Sequence, residues 1–340
     1  MSIYYDEIKE EGNSLYVLSK YIEKREFSAT LRDINIEKID KLIFTGMGSS
    51  LFASYPAMFY LNKYGVTSLS IPANMLIYYY RHLVTENTLL ILVSQSGESI
   101  EIKELLDIFS DHSLKIGITN TPDSTLSKMG KRVLYLNAGE EKATTSKTYI
   151  NTLSILLAIA EVFLKKRNFN FKNVANAIEI YLQEEDRLVN VFYPYFLGTD
   201  HITFLGRGPS LSTVYQGSLI TKEAAHFYAE GLDTQDFRHG PLDMVTQGFK
   251  AIIFSPYDNK EAFEKDIVLA KKIISQRGTL LFVTNKKINE GFPVFEIEEF
   301  EPYLLPFFEI IPLQFMSCKI AWAKGMEPGV LSNTGKVVLE

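Results

Sequence analysis

The chain holds a single cysteine, Cys318, so no intramolecular disulfide can brace it. Set in the apolar run IIPLQFMSCKIAWA, that thiol reads as a small buried hydrophobe. Five histidines occur, yet none stands at metal-ligand spacing from another, and H-x-x-x-H does not occur; no metal site is expected. The pattern G-x-x-x-x-G-K followed by Ser or Thr is missing, which excludes a Walker-type phosphate loop. Gly46 and Gly48 form a G-x-G without the third glycine of a dinucleotide fingerprint, and no organic cofactor is expected. The longest apolar run, Leu153–Leu164, is too short to span a bilayer, so no membrane association is expected. The N-terminal YYDEIKEEGNSL is polar and acidic where a signal peptide would be apolar, and a cytoplasmic protein is expected. Positive charge is also scarce. The formal net charge is −6 and no block of Lys and Arg suggests a local exception, which argues against nucleic acid as a partner.

What the chain does contain is one pattern twice. Lys41–Leu51 reads KLIFTGMGSSL, and His201–Leu211 reads HITFLGRGPSL. Gly46, Gly48, Ser50 and Leu51 stand at a constant offset of 160 from Gly206, Gly208, Ser210 and Leu211. Further on, LLILVS (Leu89–Ser94) is echoed by KAIIFS (Lys250–Ser255), and IGITN (Ile116–Asn120) by LFVTN (Leu281–Asn285). Three landmarks in the same order and at similar spacing describe two copies of one α/β unit. A site between duplicated halves is the default place to look. The length of 340 residues suits two domains of about 150 residues each.

Strands alternate with helices in each copy, so mostly parallel sheets are expected. Lys41–Thr45, Leu89–Ser94 and Lys115–Thr119 read as buried strands. Leu51–Lys63, Glu98–Phe109 and Ser146–Leu164 read as helices, the last at an inter-domain or dimer contact. The organisation is an N-terminal helical arm at 1–30, a first domain at 31–170, a second at 195–325 and a tail at 326–340. Val174–Asn190 is a charged helical connection. The tail, MEPGVLSNTGKVVLE, has the turn content of a segment that lies across a site.

The hexapeptide SQSGES (Ser94–Ser99) follows a buried strand and precedes a helix. Backbone N–H groups and the helix dipole collect an anion there. Gly97 allows close backbone approach. A Ser-rich turn that merely caps a helix would account for the hexapeptide alone. Ser49 and Ser50, beside it on the same sheet edge, turn the pair into a phosphate cradle built from neutral donors. The second copy keeps GPSL but has SPYDNKE in place of SQSGES, with Pro256 and Asp258, and has lost the anion chemistry. One phosphate per chain is the economical reading. Separately, Glu223 falls in the otherwise apolar helix SLITKEAAHF, where partial burial would raise its pKa and suit proton transfer. His239 sits in an HGP turn and is a natural acid or base near neutral pH. A surface glutamate and a turn histidine are the plain alternatives.

Taken together, GMGSS, SQSGES, ATTSKTY (Ala143–Tyr149), GRG, the KE…HGP segment and the terminal SNTGKVVLE make the chain resemble the double sugar-isomerase (SIS) domain family. The likeness is strongest to the isomerase half of glucosamine-6-phosphate synthase and its stand-alone relatives. It covers nearly the whole chain. The resemblance implies two tandem α/β sandwich domains. It implies that Ser50, Ser94, Gln95, Ser96 and Ser99 hold a sugar phosphate, and that Thr145 and the Ala143 backbone line the sugar. It implies that Glu223 shuttles a proton between C1 and C2. His239 would assist ring opening, reaching into the neighbouring subunit's site, so a homodimer with shared active sites is expected. Lys336 would approach the carbonyl carbon and could form a Schiff base.

The chain departs from the synthase twice. It begins within the isomerase half, so glutamine-dependent synthesis is not expected. Ile220 stands where the family has a catalytic lysine three residues before the glutamate, which shifts the expectation toward a deaminase or deglycase. The expected reaction is deamination of glucosamine 6-phosphate to fructose 6-phosphate and ammonia, with no metal or cofactor. A fructosamine-6-phosphate deglycase, another sugar-phosphate isomerase and a non-catalytic sugar-phosphate sensor are the alternatives.

Overall fold

The computed structural model describes residues 2–129, 132–297 and 300–331. Two compact units are present. One is built on residues 9–179, the other on 180–330 with the N-terminal residues to Ile8.

The unit on residues 9–179 is organised around a five-stranded sheet. Its strands are β1 (Lys41–Gly46), β2 (Ser68–Pro72), β3 (Thr88–Val93), β4 (Lys115–Thr119) and β5 (Val133–Tyr135). Their spatial order is β2-β1-β3-β4-β5, and every pair is parallel. All six residues of β3, TLLILV, are buried, as a strand covered on both faces requires. The register aligns Gly46 with Pro72, Thr45 with Leu92, Val93 with Ile118 and Thr119 with Tyr135. The carboxyl ends of the strands therefore form one continuous edge. Helix Lys147–Leu164 is buried at every position except Val162 and Leu164, and packs against helices Glu11–Ile22 and Tyr55–Lys63.

The other unit carries β6 (His201–Gly206), β7 (Tyr228–Asp233), β8 (Lys250–Phe254), β9 (Thr279–Thr284) and β10 (Val294–Glu296). Their order is β7-β6-β8-β9-β10, again all parallel. Matching β6 to β1 and continuing along the chain, the two sheets have the same strand order. The repeat seen in the sequence is thus a repeat of topology. Here helix Pro306–Ala323 takes the core position and packs on helix Leu211–Ala225. Cys318 lies in it, fully buried, and burial pushes its thiol pKa up. Helix Lys147–Leu164 and the segment Pro302–Ala323 are long and apolar enough to cross a membrane, but 89% and 94% of their apolar stretches are buried in the protein. They are core helices.

Some elements differ from the sequence expectation. The helix expected over 51–63 is two, Ser49–Phe52 and Tyr55–Lys63. Pro56 lies in the first turn of the second, where its missing N–H costs nothing, so the chain restarts there. The connection after residue 170 likewise divides into Phe171–Gln183 and Glu185–Phe192. Strands β2, β5, β7 and β10 were not legible as strands. β5 and β10 are only three residues long, and β7 (YAEGLD) carries two acidic residues and a glycine. The segment containing Lys336 lies outside the described residues.

Candidate phosphate site

The register brings the loop after β1 next to the loop after β3. Gly46 is the contact point. A Cβ built on it would lie 2.7 Å from the Val93 carbonyl oxygen and 3.1 Å from Ser50 Cβ, so only glycine lets the two loops approach this closely. Gly48 then turns the chain with a φ of 51°, and Ser49–Phe52 begins a short helix from the strand end. The hydroxyls of Ser49 and Ser50 make no hydrogen bond to protein among the described residues, and both residues are half-buried.

The loop Ser94–Ser99 is shaped by its own serines. Ser94 Oγ accepts from Gly97 N at 3.1 Å, and Ser96 Oγ accepts from Glu98 N at 3.2 Å. Gly97 has a φ of 67°, and a Cβ there would meet Ser124 Oγ at 2.2 Å. The position is closed to any side chain. Glu98 turns away to Thr125, whose N donates at 2.6 Å and whose Oγ1 donates at 3.0 Å, and to Lys103 Nζ at 2.9 Å. The Lys103 bond, with those from Thr125, holds the Glu98 carboxyl down to about 2. Ser99 is the N-cap of helix Ile100–Ile108, but its side chain does not cap. Its hydroxyl, the Gln95 amide and the first-turn N–H groups of this helix remain as donors.

Two residues that the sequence reading passed over hold the rest of the edge. Asn120 follows β4. Its N donates to Gln95 O at 2.9 Å, its Nδ2 donates to Gly139 O at 2.7 Å, and its Oδ1 accepts from Ala138 N at 3.0 Å. This residue, through its backbone N–H and its side chain, thus ties together the loops after β3, β4 and β5. Glu141 is buried and lies just before the ATTS segment. Its Oε1 accepts from Ser146 N at 3.0 Å and Thr148 N at 2.9 Å, and its Oε2 accepts from Thr148 Oγ1 at 2.6 Å. A carboxylate at this helix N-terminus satisfies orphan donors and favours the dipole. It fixes Ala143, which is buried, and Thr145, which is half-buried, at the start of helix Lys147–Leu164. Helix Ser49–Phe52 packs on that same helix. Ser49, Ser50, Ser94, Gln95, Ser96, Ser99, Ala143 and Thr145 therefore all belong to one unit, the serines and Gln95 on loops at one sheet edge and Ala143 and Thr145 just before the helix that packs on Ser49–Phe52. The signal that could have flagged Asn120 was present: Asn285 ends the matching strand, accepts from Tyr257 N at 2.8 Å and donates to Phe300 O at 3.1 Å.

The equivalent edge of the second copy is occupied by the protein's own carboxylates. Ser210, the counterpart of Ser50, donates to Glu309 Oε1 at 2.7 Å, and Thr213 donates to Glu309 Oε2 at 2.6 Å. All three residues are fully buried, and burial pushes Glu309 up to about 7 against the two hydroxyl bonds. Ser255, the counterpart of Ser94, donates to Asp266 Oδ2 at 2.8 Å. Asp266 is also fully buried and accepts from Arg207 at 2.5 Å. Burial raises its pKa while Arg207 opposes the rise. Asp258 closes the remaining gap, its Oδ2 lying 3.4 Å from where a Cβ of Gly208 would sit. The hydroxyls that match Ser50 and Ser94 are thus already committed to the protein's own carboxyl groups at this edge.

Glu223 and His239 lie in the unit of the second copy. Glu223 is half-buried near the end of helix Leu211–Ala225. His239 follows helix Thr234–Arg238, is exposed, and donates its backbone N–H to Asp236 O at 3.1 Å. Among the described residues, no group of three His, Cys, Asp or Glu side chains could hold a metal ion.

Residues 35–162 match the SIS domain family model, so this part of the chain is an SIS domain. Glutamine–fructose-6-phosphate aminotransferase (isomerizing) of Sulfurisphaera tokodaii is 26% identical over 308 residues, covering 89% of this chain and 50% of that protein. The chain spans about half the length of the curated relatives it matches. Among solved structures, a glucosamine-6-phosphate deaminase from Thermotoga maritima superposes with a TM-score of 0.75 at 21% identity, covering 99% of each chain. A tagatose-6-phosphate ketose/aldose isomerase from Escherichia coli gives 0.83 at 15% identity, covering 100% of this chain and 97% of that one. The α/β fold with two five-stranded parallel sheets is shared with these structures.

Proposed function

We propose that this chain is a phosphosugar isomerase acting on an amino-sugar phosphate, and that it converts glucosamine 6-phosphate to fructose 6-phosphate and ammonia. In this reading the chain is two tandem SIS domains and works as a homodimer with shared active sites. One observation carries the proposal. The first copy's sheet edge presents hydroxyls with no protein partner at Ser49, Ser50 and Ser99, whereas in the second copy Ser210, the counterpart of Ser50, and Ser255, the counterpart of Ser94, donate to buried carboxylates. A phosphate bound once per chain would anchor the sugar, and this remote binding energy would position C1 and C2. Ala143 and Thr145 would line the sugar.

The chemistry follows from the substrate's own carbonyl. His239 helps open the ring to the aldehyde. Glu223 takes the proton from C2, and the C–H electron pair moves to form the C1–C2 double bond as the C1 oxygen gains a proton. Glu223 then delivers its proton to C1. The amine at C2 becomes a ketimine, water adds to C2, and ammonia leaves to give the ketose. Proton shuttling of this kind contributes about 10²–10⁴-fold. Lys336 is proposed to approach the carbonyl carbon.

The structural likeness to a tagatose-6-phosphate ketose/aldose isomerase favours a second reading, isomerisation without loss of nitrogen. A panel of amino-sugar, fructosamine and plain hexose phosphates, assayed for ammonia or amine release and for ketose formation, separates the two. Ammonia from glucosamine 6-phosphate supports the first reading. Turnover of nitrogen-free sugars alone supports the second.

A further inference from the structure

The unit built on residues 9–179 holds a cavity of about 940 Å³. It opens between the end of helix Glu11–Ile22, helix Arg25–Leu31 and the C-terminal end of helix Lys147–Leu164. The candidate phosphate loop sits at the other end of that last helix. Its 18 residues span about 27 Å at ~1.5 Å per residue, so the cavity is a separate place.

The chain is acidic as a whole, with a net charge of −6, yet this cavity gathers four cations: Lys24, Lys165, Lys166 and Arg167. Three of them follow one another in sequence. The fold adds Lys24 from a distant segment. Two carboxylates also line the space. Glu161 is buried and committed to backbone donors, accepting from Phe169 N at 2.9 Å and from Asn168 N, and burial raises its pKa. Glu23 is exposed at the rim. The cations are not needed to finish the helix. The Glu161 and Val162 carbonyls already accept from the backbone N–H groups of Lys166 and Lys165. Lys24, Lys165 and Arg167 form no ion pair among the described residues, and Lys166 Nζ stands 4.1 Å over the Tyr64 ring. Buried Phe27 and Phe169 give the cavity an apolar floor.

Four cations around one space of metabolite size, three of them outside any ion pair among the described residues and the fourth over an aromatic ring, describe a receptor for a compact polyanion. We propose that this cavity is a second ligand site, distinct from the sugar-phosphate site, and that it binds a small molecule bearing a diphosphate group. Inorganic pyrophosphate and a nucleoside diphosphate share that chemistry. The apolar floor and the volume favour the organic form.

Isothermal titration of the full chain with ADP and, separately, with pyrophosphate tests this. Three variants complete the design: Lys24→Ala/Arg167→Ala, the charge-preserving Lys24→Arg/Arg167→Lys, and Ser96→Ala in the loop after β3. Saturable binding is expected, at least tenfold weaker in the double alanine variant and within about threefold of wild type in the other two. Circular dichroism melts confirm that each variant is folded. ADP is expected to bind more tightly than pyrophosphate. The reverse order would assign the site to the inorganic anion, with the diphosphate chemistry intact. Binding that is equal in the double alanine variant, lost in Ser96→Ala, or not saturable for either probe would overturn the proposal. The readout needs no turnover, so it stands or falls apart from the proposed reaction.

Discussion

Ser210 Oγ lies 2.7 Å from Glu309 Oε1 in the interior of one unit, whereas Ser50, its counterpart 160 positions earlier, has no protein partner for its hydroxyl. The same duplicated serine is thus structural in one copy and presented at an open edge in the other. Ser96→Ala should weaken a sugar-phosphate ligand by about 10–100-fold, since a hydrogen bond to a charged group is worth about 1.5–3 kcal/mol. Ser210→Ala should leave affinity within about twofold but lower the melting temperature, because it strips a partner from a buried carboxyl. Equal affinity losses from both changes would contradict a single phosphate seat.

Glu309 makes stability depend on pH. Burial lifts its folded-state pKa from 4.5 to about 7, so folding takes up a proton between those values. The stabilisation from the protonated form is complete below about pH 4.5 and is lost as the pH rises through about 7. Its size is about 3 kcal/mol, at about 1.36 kcal/mol per tenfold change in proton affinity. Urea unfolding of the Glu309→Gln variant should show a flatter dependence between pH 5 and pH 8 (roughly the window of the titration) than wild type. An unchanged slope would assign the dependence to other groups.

Gly97→Ala should damage the cradle without unfolding its sheet. The new Cβ would stand 2.2 Å from Ser124 Oγ at a φ of 67°. The left-handed backbone alone costs a non-glycine residue about 1–2 kcal/mol. Far-ultraviolet circular dichroism should be retained while sugar-phosphate binding is lost. Retained binding would show that the loop conformation is not what holds the ligand.

The proposed sharing of active sites between subunits makes a complementation test possible. Inactive Glu223→Gln mixed with inactive His239→Ala should regain part of the activity after subunit exchange, because a hybrid dimer carries one intact site. Exchange without recovery, followed by mass spectrometry, would place both residues in the same subunit's site.

Much of the fold was legible because the buried strands are continuous apolar runs. LLILV and IGIT announce themselves, and the constant offset between Gly46 and Gly206 announces the duplication. The edge strands were not, because VLY and VFE are too short to carry a period. In the candidate site, the hydroxyl-rich loops could be read directly, since their chemistry is written in adjacent residues. Asn120 and Glu141 could not. Glu141 caps the nearby Ser146 and Thr148 without a capping-motif signal in the sequence, whereas Asn120 bonds to loops that only the sheet register brings to it. The carboxylate that fills the second copy was hidden for the same reason. Glu309 is 99 residues from Ser210 and reads in sequence as one acidic residue in an apolar helix. Likewise, the basic cavity joins Lys24 to Lys165–Arg167 only after folding.

The most direct measurement follows glucosamine 6-phosphate with wild type and Glu223→Gln in parallel, recording fructose 6-phosphate, ammonia and ligand affinity together. One ammonia should appear for each fructose 6-phosphate formed. The variant should be about 10²–10⁴-fold slower, with affinity for the sugar phosphate within a few fold of wild type. No ammonia from the wild type, or a Glu223→Gln rate above about half of the wild-type rate against that expected loss, would contradict the account.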